Sequence, residues 1–489
     1  MTHSGSIVLA AINAHYAHVA FGLRRLQAHL GCYQENTQLL EFTLQQSAHE
    51  IAEAILARKP RLVGLSLYIW NIEIATAVAA VIRAVSPETV LVCGGPEMTG
   101  DPARSPVAPF ADYIIRGEGE EAFLTLVHTL LQGHVPPDKI IDASPPDLSL
   151  LADPYPLYTE QDIAHRVIYV EASRGCPHRC AFCLSGAFPC LRYFPLHAFL
   201  HSMSRLLDRG ARRFKFIDRT FNVDLNRMHT ILRFFRERPE IEQLHLHFEI
   251  MPDHLPPDTL ALLASFPHDA LHLETGVQSV NPDIQKAIRR YQRIEPSLEN
   301  LHWLRTHTGC QLHADLIFGL PGESIDSFAE GFNRLVALDV QELQLGLLKN
   351  LPGTPLGALS SPDTVYDTNP PYELLQNEHY SFDALQRMKR FAKYFDLLHN
   401  HGNFPESLAL LRQLPPSPFH VFEALTEQIW EQEGKTYGIP LVKMAEHLHI
   451  FLCACLPDRK STVSAVIEKD FRRFKGRRDR LPFLTGNSA

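Results

Sequence analysis

Three closely spaced cysteines constrain this chain more than any other feature of its sequence. Cys176, Cys180 and Cys183 are separated by three and then by two residues, and they follow an apolar run from Arg166 to Val170. The run predicts a β-strand, so we expect the cysteines on a loop just past the carboxyl end of that strand. Thiolates are the protein ligands that iron–sulfur clusters use. Three thiolates at this spacing therefore predict a four-iron cluster with one iron left open.

The same cysteines also allow a structural zinc site, which needs a fourth ligand. His178 and Cys190 are near enough in the sequence to supply it. As a fourth ligand of a cluster, Cys190 would close the open iron. We therefore expect Cys190 to be a small thiol that is buried or partly buried.

The length and composition are those of a folded chain with more than one domain. At 489 residues the chain is too long for one ordinary core, and 45% hydrophobic against 21% charged residues is typical of soluble domains. The 46 basic and 55 acidic residues give a net charge of −9, which argues against a protein that coats nucleic acid over its whole surface. Nine cysteines without a regular framework, and no signal peptide, predict a cytoplasmic location, and no apolar run reaches the length of a membrane span.

Strand-like and helix-like segments alternate over roughly the first 140 residues. Apolar runs begin at Ile7, Leu39, Leu62, Val90 and Tyr113, with helical patterns between most of them. The alternation predicts an α/β domain with a parallel sheet and helices on both faces. In such a doubly wound, Rossmann- or flavodoxin-like domain, a ligand lies outside the carboxyl ends of the strands.

The predicted strand ends of this first domain carry polar residues and glycines, and glycine lets the backbone come close to a large ligand. The candidate ligand-binding residues are Asn13, His15, Ser66, Tyr68, Trp70, Asn71, Gly94, Gly95, Pro96, Glu97, Gly117, Glu118 and Gly119. The alternative is that these residues are ordinary helix caps in a sheet that binds no ligand.

A proline-rich segment, residues 144–164, follows the first domain and predicts a semi-rigid linker without helix. After the cysteines, further strand-like runs begin at Arg213, His245, Leu271, His313 and Glu342. With the strand before the cysteines they make six strands with polar residues or glycine near their ends. Beyond Pro355 the pattern changes to helices.

The cysteine spacing, with Phe182 just before the last cysteine, resembles the signature of the radical S-adenosylmethionine (SAM) superfamily. The strand-end loops of the first domain together resemble the cobalamin-binding domain that precedes the radical SAM barrel in one large subfamily. Nearly the whole chain resembles a group of such proteins that share a helical C-terminal domain of unknown function. The resemblance implies a cobalamin-binding domain over residues 1–143, the linker over 144–164, a partial (β/α)6 TIM-like barrel over 165–356 and a helical domain over 357–489.

The resemblance also implies the cofactors: a [4Fe–4S] cluster held by the three cysteines, SAM on the open iron, and cobalamin. The implied SAM-contacting residues are Phe182, Asp218, Glu249, Glu274, Gln278, Ser279, Arg290, Asp315 and Gly319. The segment that begins at Asp218 replaces the Gly-Gly-Glu motif of many members. For any one of these positions, the alternative is a polar side chain on the barrel rim with no ligand.

One position bears on how cobalamin is bound. Many cobalamin domains carry an Asp-x-His-x-x-Gly motif whose histidine ligates the cobalt from below. His15 is in register with that histidine, but Asn13 and His18 replace the aspartate and the glycine. Because the aspartate would orient the imidazole, we expect cobalamin to be bound without a strong protein ligand.

The resemblance implies a methyltransferase, in which a 5′-deoxyadenosyl radical made from SAM activates an unactivated carbon and methylcobalamin supplies the methyl group. A rearrangement or cyclisation with the same cofactors is the alternative. A tRNA methylthiotransferase is disfavoured, because its first domain supplies three cysteines and this one has only Cys32 and Cys93. A further alternative is a non-catalytic zinc- and RNA-binding protein that uses the basic run from Phe471 to Arg480.

The expected partners follow from the same resemblance. The substrate is a small molecule, a tRNA or a peptide, and the sequence does not select among them. Cleavage of SAM needs an electron donor such as flavodoxin or ferredoxin. No membrane partner is expected.

Overall fold

The computed structural model describes residues 7–187, 190–474 and 476–484. These residues form two compact units. Unit 1 comprises Met1–Glu249, Lys349–Ala358 and Asp367–Glu373, and unit 2 comprises Ile250–Leu348, Leu359–Tyr366 and Leu374–Ala489.

Unit 1 begins with a parallel sheet of six strands. The strands are β1 (Ile7–Asn13), β2 (Thr37–Thr43), β3 (Leu62–Ser66), β4 (Val90–Gly94), β5 (Tyr113–Arg116) and β6 (Ile140–Asp142). Their order across the sheet is β2-β1-β3-β4-β5-β6, and every neighbouring pair is parallel. The order reverses beside β1, so the predicted doubly wound topology is confirmed. The sequence pattern missed β6, which has three residues.

Helices cover both faces of this sheet. They are α1 (Phe21–His29), α2 (Ala48–Leu56), α3 (Ile72–Val85) and α4 (Glu120–Leu131). Alternate residues of β1 point into two separate apolar clusters: Val8 packs in the cluster that contains α2 and α3 residues, and Leu9 packs in the one that contains α1 and α4 residues. Burial on both faces explains why the strands read as continuous apolar runs.

The rest of unit 1 supplies three strands of a second parallel sheet. Its elements are α5 (Glu160–His165), β7 (Ile168–Val170), β8 (Ser173–Arg174), β9 (Arg192–Tyr193), α6 (Leu196–Asp208), β10 (Arg213–Phe216), α7 (Leu225–Arg236) and β11 (His245–Ile250). Strand β10 lies between β7 and β11, parallel to both. The prediction of a linker without helix is wrong at its end: Thr159 and Asp162 form a capping box that starts α5.

Four buried charges fasten this linker to the first domain. The Arg24 Nη2 atom lies 2.8 Å from Glu41 Oε2 and 2.9 Å from Asp162 Oδ2. The Arg166 Nη1 atom lies 2.8 Å from the same Glu41 oxygen. Because each side chain is at most 10% exposed, the two arginines and two carboxylates compensate one another away from water.

Unit 2 contains three further parallel strands and then mostly helices. Its elements are α8 (Pro257–Ala264), β12 (Leu271–Gln278), α9 (Pro282–Ala287), α10 (Ile294–His307), β13 (Gln311–Phe318), α11 (Ile325–Ala337), β14 (Glu342–Leu347), α12 (Leu356–Leu359, which begins in unit 1), β15 (Val365–Tyr366), β16 (Leu374–Gln376), α13 (Phe382–Phe395), α14 (Pro405–Leu411), α15 (Pro418–Glu433), α16 (Leu441–Cys455) and α17 (Lys460–Arg472). Strand β13 lies between β12 and β14. All six strands predicted after the linker are present, three in each unit.

The C-terminal helices pack through aromatic side chains. Phe332 of α11 contacts Phe391 and Phe395 of α13 and Phe419 of α15, with ring centroids 5.1 to 5.8 Å apart. The prediction of helices beyond Pro355 is confirmed, whereas the β15–β16 pair was not predicted. These two strands have two and three residues, too few to show a clear period.

Candidate functional site

A cavity of about 390 Å³ lies at the carboxyl ends of the first sheet in unit 1. Eight of the predicted ligand-binding residues line it: Ser66, Tyr68, Gly94, Gly95, Pro96, Gly117, Glu118 and Gly119. The segment that leads into the cysteine loop lines it too, through Glu171, Ser173, Arg174 and Gly175. One cavity therefore borders both the glycine-bearing strand ends and the start of the cysteine loop.

The cavity wall combines apolar side chains with the glycine backbone and one buried hydroxyl. A Cβ atom added at Gly94 or Gly119 would lie 3.4 or 3.5 Å from its nearest neighbour, which is ordinary van der Waals contact, so neither glycine is required by a close approach within the chain. The Ser66 Oγ atom is buried and has no hydrogen-bond partner among the described residues. Because a buried hydroxyl needs a partner, a ligand that supplies one fits this wall.

Gly95 has a different role from its neighbour Gly94. Its φ is +120°, and an added Cβ would lie 2.5 Å from the Leu67 carbonyl oxygen. Only glycine adopts this conformation without strain. Gly95 is therefore needed for the turn itself, and substituting it would distort the loop rather than fill the cavity.

Five of the predicted ligand-binding residues do not line the cavity: Asn13, His15, Trp70, Asn71 and Glu97. Asn71 braces the strand ends, because its Nδ2 donates to the Ile12 and Ser66 carbonyl oxygens. Trp70 is 45% exposed and stacks on Tyr68 with ring centroids 4.3 Å apart. Any contact of these residues with a ligand stays a prediction.

Glu97 and the Asn13–His15 loop are engaged elsewhere. The Glu97 carboxylate accepts a 2.8 Å hydrogen bond from Tyr372, and burial raises the pKa of this carboxyl group. Asn13 Nδ2 donates to Glu41 Oε1 and to the His18 carbonyl oxygen, each at 3.1 Å, while His15 is exposed.

The three cysteines lie on a compact loop. Cys176 and Cys180 are buried, Cys183 is partly buried, and the Cys183 amide donates to the Cys180 carbonyl oxygen at 3.2 Å. Phe182 between them is partly buried. Cys190 is exposed, so the expectation of a buried or partly buried thiol is wrong. It lies just after residues 188–189, which fall outside the described ranges.

The cysteine geometry also bears on the zinc alternative. Within the described ranges, the three Sγ atoms do not form a group in which all lie within 4.8 Å of one another. Thiolates on one zinc ion are about 3.8 Å apart, as Zn–S bonds of about 2.3 Å at tetrahedral angles require. Thiolates that bind different irons of a cube do not converge on one point. The loop therefore fits a cluster better than a zinc ion.

Arg174, two residues before Cys176, joins the cysteine loop to the strand-end loop after β5. Its guanidinium contacts Glu118 at 2.9 Å, Glu120 at 2.5 Å and Glu171 at 2.8 Å. Although burial alone would raise the pKa of Glu120, the Arg174 charge and hydrogen bond hold that pKa below its usual value. Glu118 Oε1 also accepts a hydrogen bond from Arg192. Glu118 is thus part of an ion-pair network that borders the cavity.

Asp218 supports the cysteine loop from below. The side chain is 2% exposed, and its oxygens accept hydrogen bonds from the Ala172 amide at 3.0 Å and the Ser173 hydroxyl at 2.5 Å. Burial raises the pKa of the Asp218 carboxyl to about 6, and the Glu171 charge adds to the rise.

This raised pKa predicts a pH dependence of stability. An acid whose pKa is higher in the folded chain contributes stability that is complete below its unfolded pKa, about 3.9, and is lost as the pH rises through about 6. We expect Asp218 to remove about 2 to 3 kcal/mol from the unfolding free energy between about pH 4 and pH 7. Urea unfolding of the cluster-free chain and of Asp218→Asn should show this part of the slope missing from the variant. Identical slopes would contradict the prediction.

Family models match three stretches of the chain. A model described as "B12 binding domain" matches residues 7–127, one described as "Radical SAM superfamily" matches residues 170–335, and one described as "Protein of unknown function (DUF4080)" matches residues 362–488. The first two stretches are those whose loops border the cavity. The chain is a radical SAM protein with a B12-binding domain. The predicted fold class and the predicted cofactors, cobalamin, a [4Fe–4S] cluster and SAM, are confirmed at the level of these domains.

Individual proteins with the same combination are similar to this radical SAM protein. It is 26% identical over 351 residues to the "Cobalamin-dependent radical SAM methyltransferase TokK" of Streptomyces tokunonensis, covering 62% of this chain and 49% of that one. It is 25% identical over 344 residues to a "2-(S-pantetheinyl)-carbapenam-3-carboxylate methyltransferase" of Streptantibioticus cattleyicolor, covering 60% and 48%. The chain spans about half the length of these curated relatives.

A solved structure shares the fold of this radical SAM protein. The "radical S-adenosylmethionine methyltransferase, TsrM, from Kitasatospora setae with cobalamin and [4Fe-4S] cluster bound" superimposes with a TM-score of 0.64 at 15% identity, covering 96% of this chain and 99% of that chain. In the described part of the radical SAM protein, no helix is both long and apolar enough to cross a membrane.

The remaining predicted SAM residues lie on separate units. In unit 1, Glu249 is the penultimate residue of β11 and pairs at 3.5 Å with Arg219, which lines the cavity. In unit 2, Arg290 donates to the Gly276 carbonyl oxygen, and Gln278 closes β12 with φ at +70°.

The other four SAM candidates also belong to unit 2. Glu274 and Asp315 lie on β12 and β13, and the Ser279 hydroxyl donates to buried Glu323. Gly319 follows β13 with φ at +87°. Their contacts with SAM stay predictions.

The basic run of the C-terminal domain is mostly exposed in its described part, which includes Arg472, Arg473, Phe474, Arg478 and Arg480. Phe471 is buried, and Arg477 stacks over Phe474 at 4.4 Å while donating to Asn403 at 2.7 Å. Lys475 lies outside the described residues. The use of this run in RNA binding stays a prediction.

Three residues that line the cavity were not predicted from the sequence: Arg174, Arg219 and Gly22. The signal for Arg174 was its position directly before the cysteine motif. Arg219 follows a strand end, and its neighbour Asp218 was selected instead. Gly22 stands second in α1, where a glycine is unfavourable for a helix unless the space is needed.

His15 should be unnecessary for the cobalt centre of this radical SAM protein. It is exposed and away from the cavity wall, and the Asn13 amide that would orient it is bound to Glu41. We expect the paramagnetic resonance spectrum of the Co(II) form to show no strong nitrogen splitting and to be unchanged in His15→Ala. A nitrogen splitting that disappears in this variant would restore His15 as a ligand.

Proposed function

We propose that this radical SAM protein is a cobalamin-dependent methyltransferase that methylates an unactivated carbon. The observation that carries the proposal is the cavity of unit 1, whose wall combines the B12-binding strand ends with the segment leading to the cysteines. A methyl transfer that uses both cofactors needs both of them next to the same substrate-binding space. The printed functions of TokK and of the carbapenam methyltransferase support methyl transfer over rearrangement.

The chain's own residues hold and separate the reactants. When bound, the cluster with SAM supplies a carbon-centred radical and the cobalamin supplies a methyl group. Cys176, Cys180 and Cys183 hold the cluster. The backbone at Gly94 and Gly119, which lines the cavity, would lie beside the cobalamin. The buried Arg174 pairs fix the spacing between the two loops. Apolar side chains of the cavity wall, such as Val92, Ile115 and Phe123, would limit the access of water to a reactive radical.

The alternatives receive less support. A zinc- and RNA-binding protein needs converging thiols, and among the described residues the three cysteine sulfurs do not form a group within 4.8 Å of one another. A rearrangement with the same cofactors is not favoured by any contact. The proposed electron donor is a flavodoxin or ferredoxin, and the proposed substrate classes are a small molecule, a tRNA or a peptide.

Isotope labelling tests the proposed reaction without knowledge of the substrate. Cells with and without the gene are grown on methionine with a deuterated methyl group, and their metabolites and digested tRNA and protein are compared by mass spectrometry. A methyltransferase predicts a species that depends on the gene and carries the intact labelled methyl group. A gene-dependent product without the label would favour rearrangement or cyclisation.

Gly22→Leu tests whether the cavity binds cobalamin. Gly22 lines the cavity, and an added Cβ would contact only the Tyr68 hydroxyl, at 3.6 Å. Leucine favours a helix over glycine by about 1 kcal/mol, so the fold should be retained. We expect cobalamin affinity to fall about tenfold or more, which is about 1.4 kcal/mol of binding free energy.

The matched control for this prediction is Ala77→Leu, which adds bulk on an exposed position of α3. This variant should bind cobalamin as the unmodified protein does. Absorbance after desalting measures the bound cobalamin. Equal affinity in Gly22→Leu and Ala77→Leu would show that cobalamin lies elsewhere.

A further inference from the structure

One face of the three strands in unit 2 is unusually rich in titratable groups. Along β12, β13 and β14, alternate residues are apolar and buried, such as Leu273, Leu312 and Leu343. The other face carries His272, Glu274, His313, Asp315 and Glu342. The register places Glu274 beside His313 and His313 beside Glu342. Five ionisable side chains therefore share one small area of the sheet.

Three of these side chains bring possible metal-ligand atoms close together. The ligand atoms of His272, His313 and Glu342 all lie within 4.8 Å of one another. The His313 Nδ1 atom is 3.6 Å from Glu342 Oε2, and the His272 and His313 rings meet edge to face with centroids 5.8 Å apart. The His313 ring is 9% exposed.

The distance from His313 to Glu342 suits two ligands of one metal ion. At 3.6 Å it is too long for a hydrogen bond between them. A nitrogen and an oxygen bound to one zinc ion, each about 2.0 to 2.2 Å from the metal at a tetrahedral angle, are about 3.3 to 3.5 Å apart. A small side-chain movement therefore admits an ion between these two atoms.

Asp315 supports this arrangement from the other side of the imidazole. Its Oδ1 lies 3.0 Å from His313 Nε2, although the angle is not that of an aligned hydrogen bond. A proton on Nε2 leaves the Nδ1 lone pair toward Glu342. A carboxylate behind a ligating histidine is how metal sites fix the tautomer and the ring orientation.

The electrostatic field of this face favours a cation. The Asp315 and Glu342 carboxylates lie 3.0 and 3.6 Å from the two His313 ring nitrogens, and Glu274 is the register neighbour of His313 on β12. Three negatively charged side chains close to one imidazole attract a divalent cation.

We propose that His272, His313 and Glu342 bind a divalent metal ion of the zinc type. Two imidazoles and one carboxylate are a common ligand set for zinc, and three protein ligands leave a fourth position for water or for an oxygen of a substrate. This site uses none of the cluster cysteines. Asp315, a predicted SAM-contacting residue, acts here by orienting His313.

Zinc binding to the full chain tests this proposal. The cluster is first built into the protein, which is then titrated with zinc against a coloured chelator. We expect one zinc ion per chain in addition to the cluster iron. His313→Ala and Glu342→Ala should each weaken zinc affinity by about 100-fold, the larger end of effects seen even for residues behind the ligands.

Three further variants separate the proposed site from other zinc-binding groups. His302→Ala changes an exposed histidine on α10 and should leave zinc affinity unchanged. A triple alanine variant of Cys176, Cys180 and Cys183 should keep the zinc ion. Asp315→Asn preserves shape, so it should fold and bind zinc about 10- to 100-fold more weakly. Zinc bound only at the cysteines would overturn the proposal, whatever the enzyme's activity. Equal zinc affinity in Asp315→Asn, His313→Ala and the unmodified protein would overturn it too.

Discussion

Replacing Cys180 by alanine is expected to abolish 5′-deoxyadenosine formation from SAM. The three thiolates hold one cluster together, so the loss of one thiolate removes the cube or changes its potential. Cys180 is 5% exposed, and its carbonyl oxygen accepts the turn hydrogen bond from Cys183. Alanine keeps this backbone contact, so the loss would come from the missing sulfur. Cys176→Ala and Cys183→Ala should have the same effect.

The chain supplies matched controls for this experiment. Cys190 and Cys455 are exposed and lie outside the motif, and alanine at either position should leave iron content and 5′-deoxyadenosine formation unchanged. The measurements are iron analysis, the paramagnetic resonance of the reduced cluster and chromatography of the nucleoside. Wild-type iron and nucleoside formation in Cys180→Ala would reject the assignment of the cluster.

Arg174→Met is expected to destabilise unit 1 by about 3 to 5 kcal/mol, the usual cost of removing one partner from a buried ion pair. Methionine replaces only the aliphatic part of the arginine side chain and leaves Glu118, Glu120 and Glu171 without the guanidinium that joins them. Because Glu118 borders the cavity, we also expect weaker cobalamin binding. Chemical denaturation of the cluster-free chain measures the first effect, and retention after desalting measures the second.

The appropriate control for Arg174 is another arginine with a carboxylate partner at the surface. Arg104 pairs with Asp101 at 3.3 Å, and its side chain is 88% exposed. Exposed pairs contribute about 0 to 1 kcal/mol, so Arg104→Met should be nearly neutral. Glu120→Gln combined with Arg174→Met should recover part of the loss. A loss below about 1 kcal/mol in Arg174→Met would show that the network is not buried as described.

Much of the fold could be predicted because the sequence carries its signals locally. Strands such as β1 are buried on both faces and read as unbroken apolar runs, and the cysteine motif is defined by spacing alone. Strand β6 was missed because three residues do not make a run. Helix α5 was missed because the proline content was given more weight than the capping box at Thr159.

The site was less predictable because its contacts join distant parts of the sequence. Arg174 meets Glu118 and Glu120 across more than fifty residues. Asp218 was assigned to SAM from its place after a strand, but its oxygens are bound by Ala172 and Ser173, more than forty residues earlier. No local pattern reveals which of two polar residues at a strand end faces a cavity and which faces the core.

The buried charges that fasten the linker limit how this protein can be recombined. The B12-binding match ends at residue 127 and the radical SAM match begins at residue 170, so the proline-rich segment looks like a natural place to exchange domains among relatives. Yet Arg24 and Glu41 on one side are neutralised by Asp162 and Arg166 on the other. A chimaera joined within the segment keeps these buried charges paired only if it contains all four of these residues. The first domain should therefore be exchanged together with the segment through Arg166, well beyond residue 127, where the B12-binding match ends.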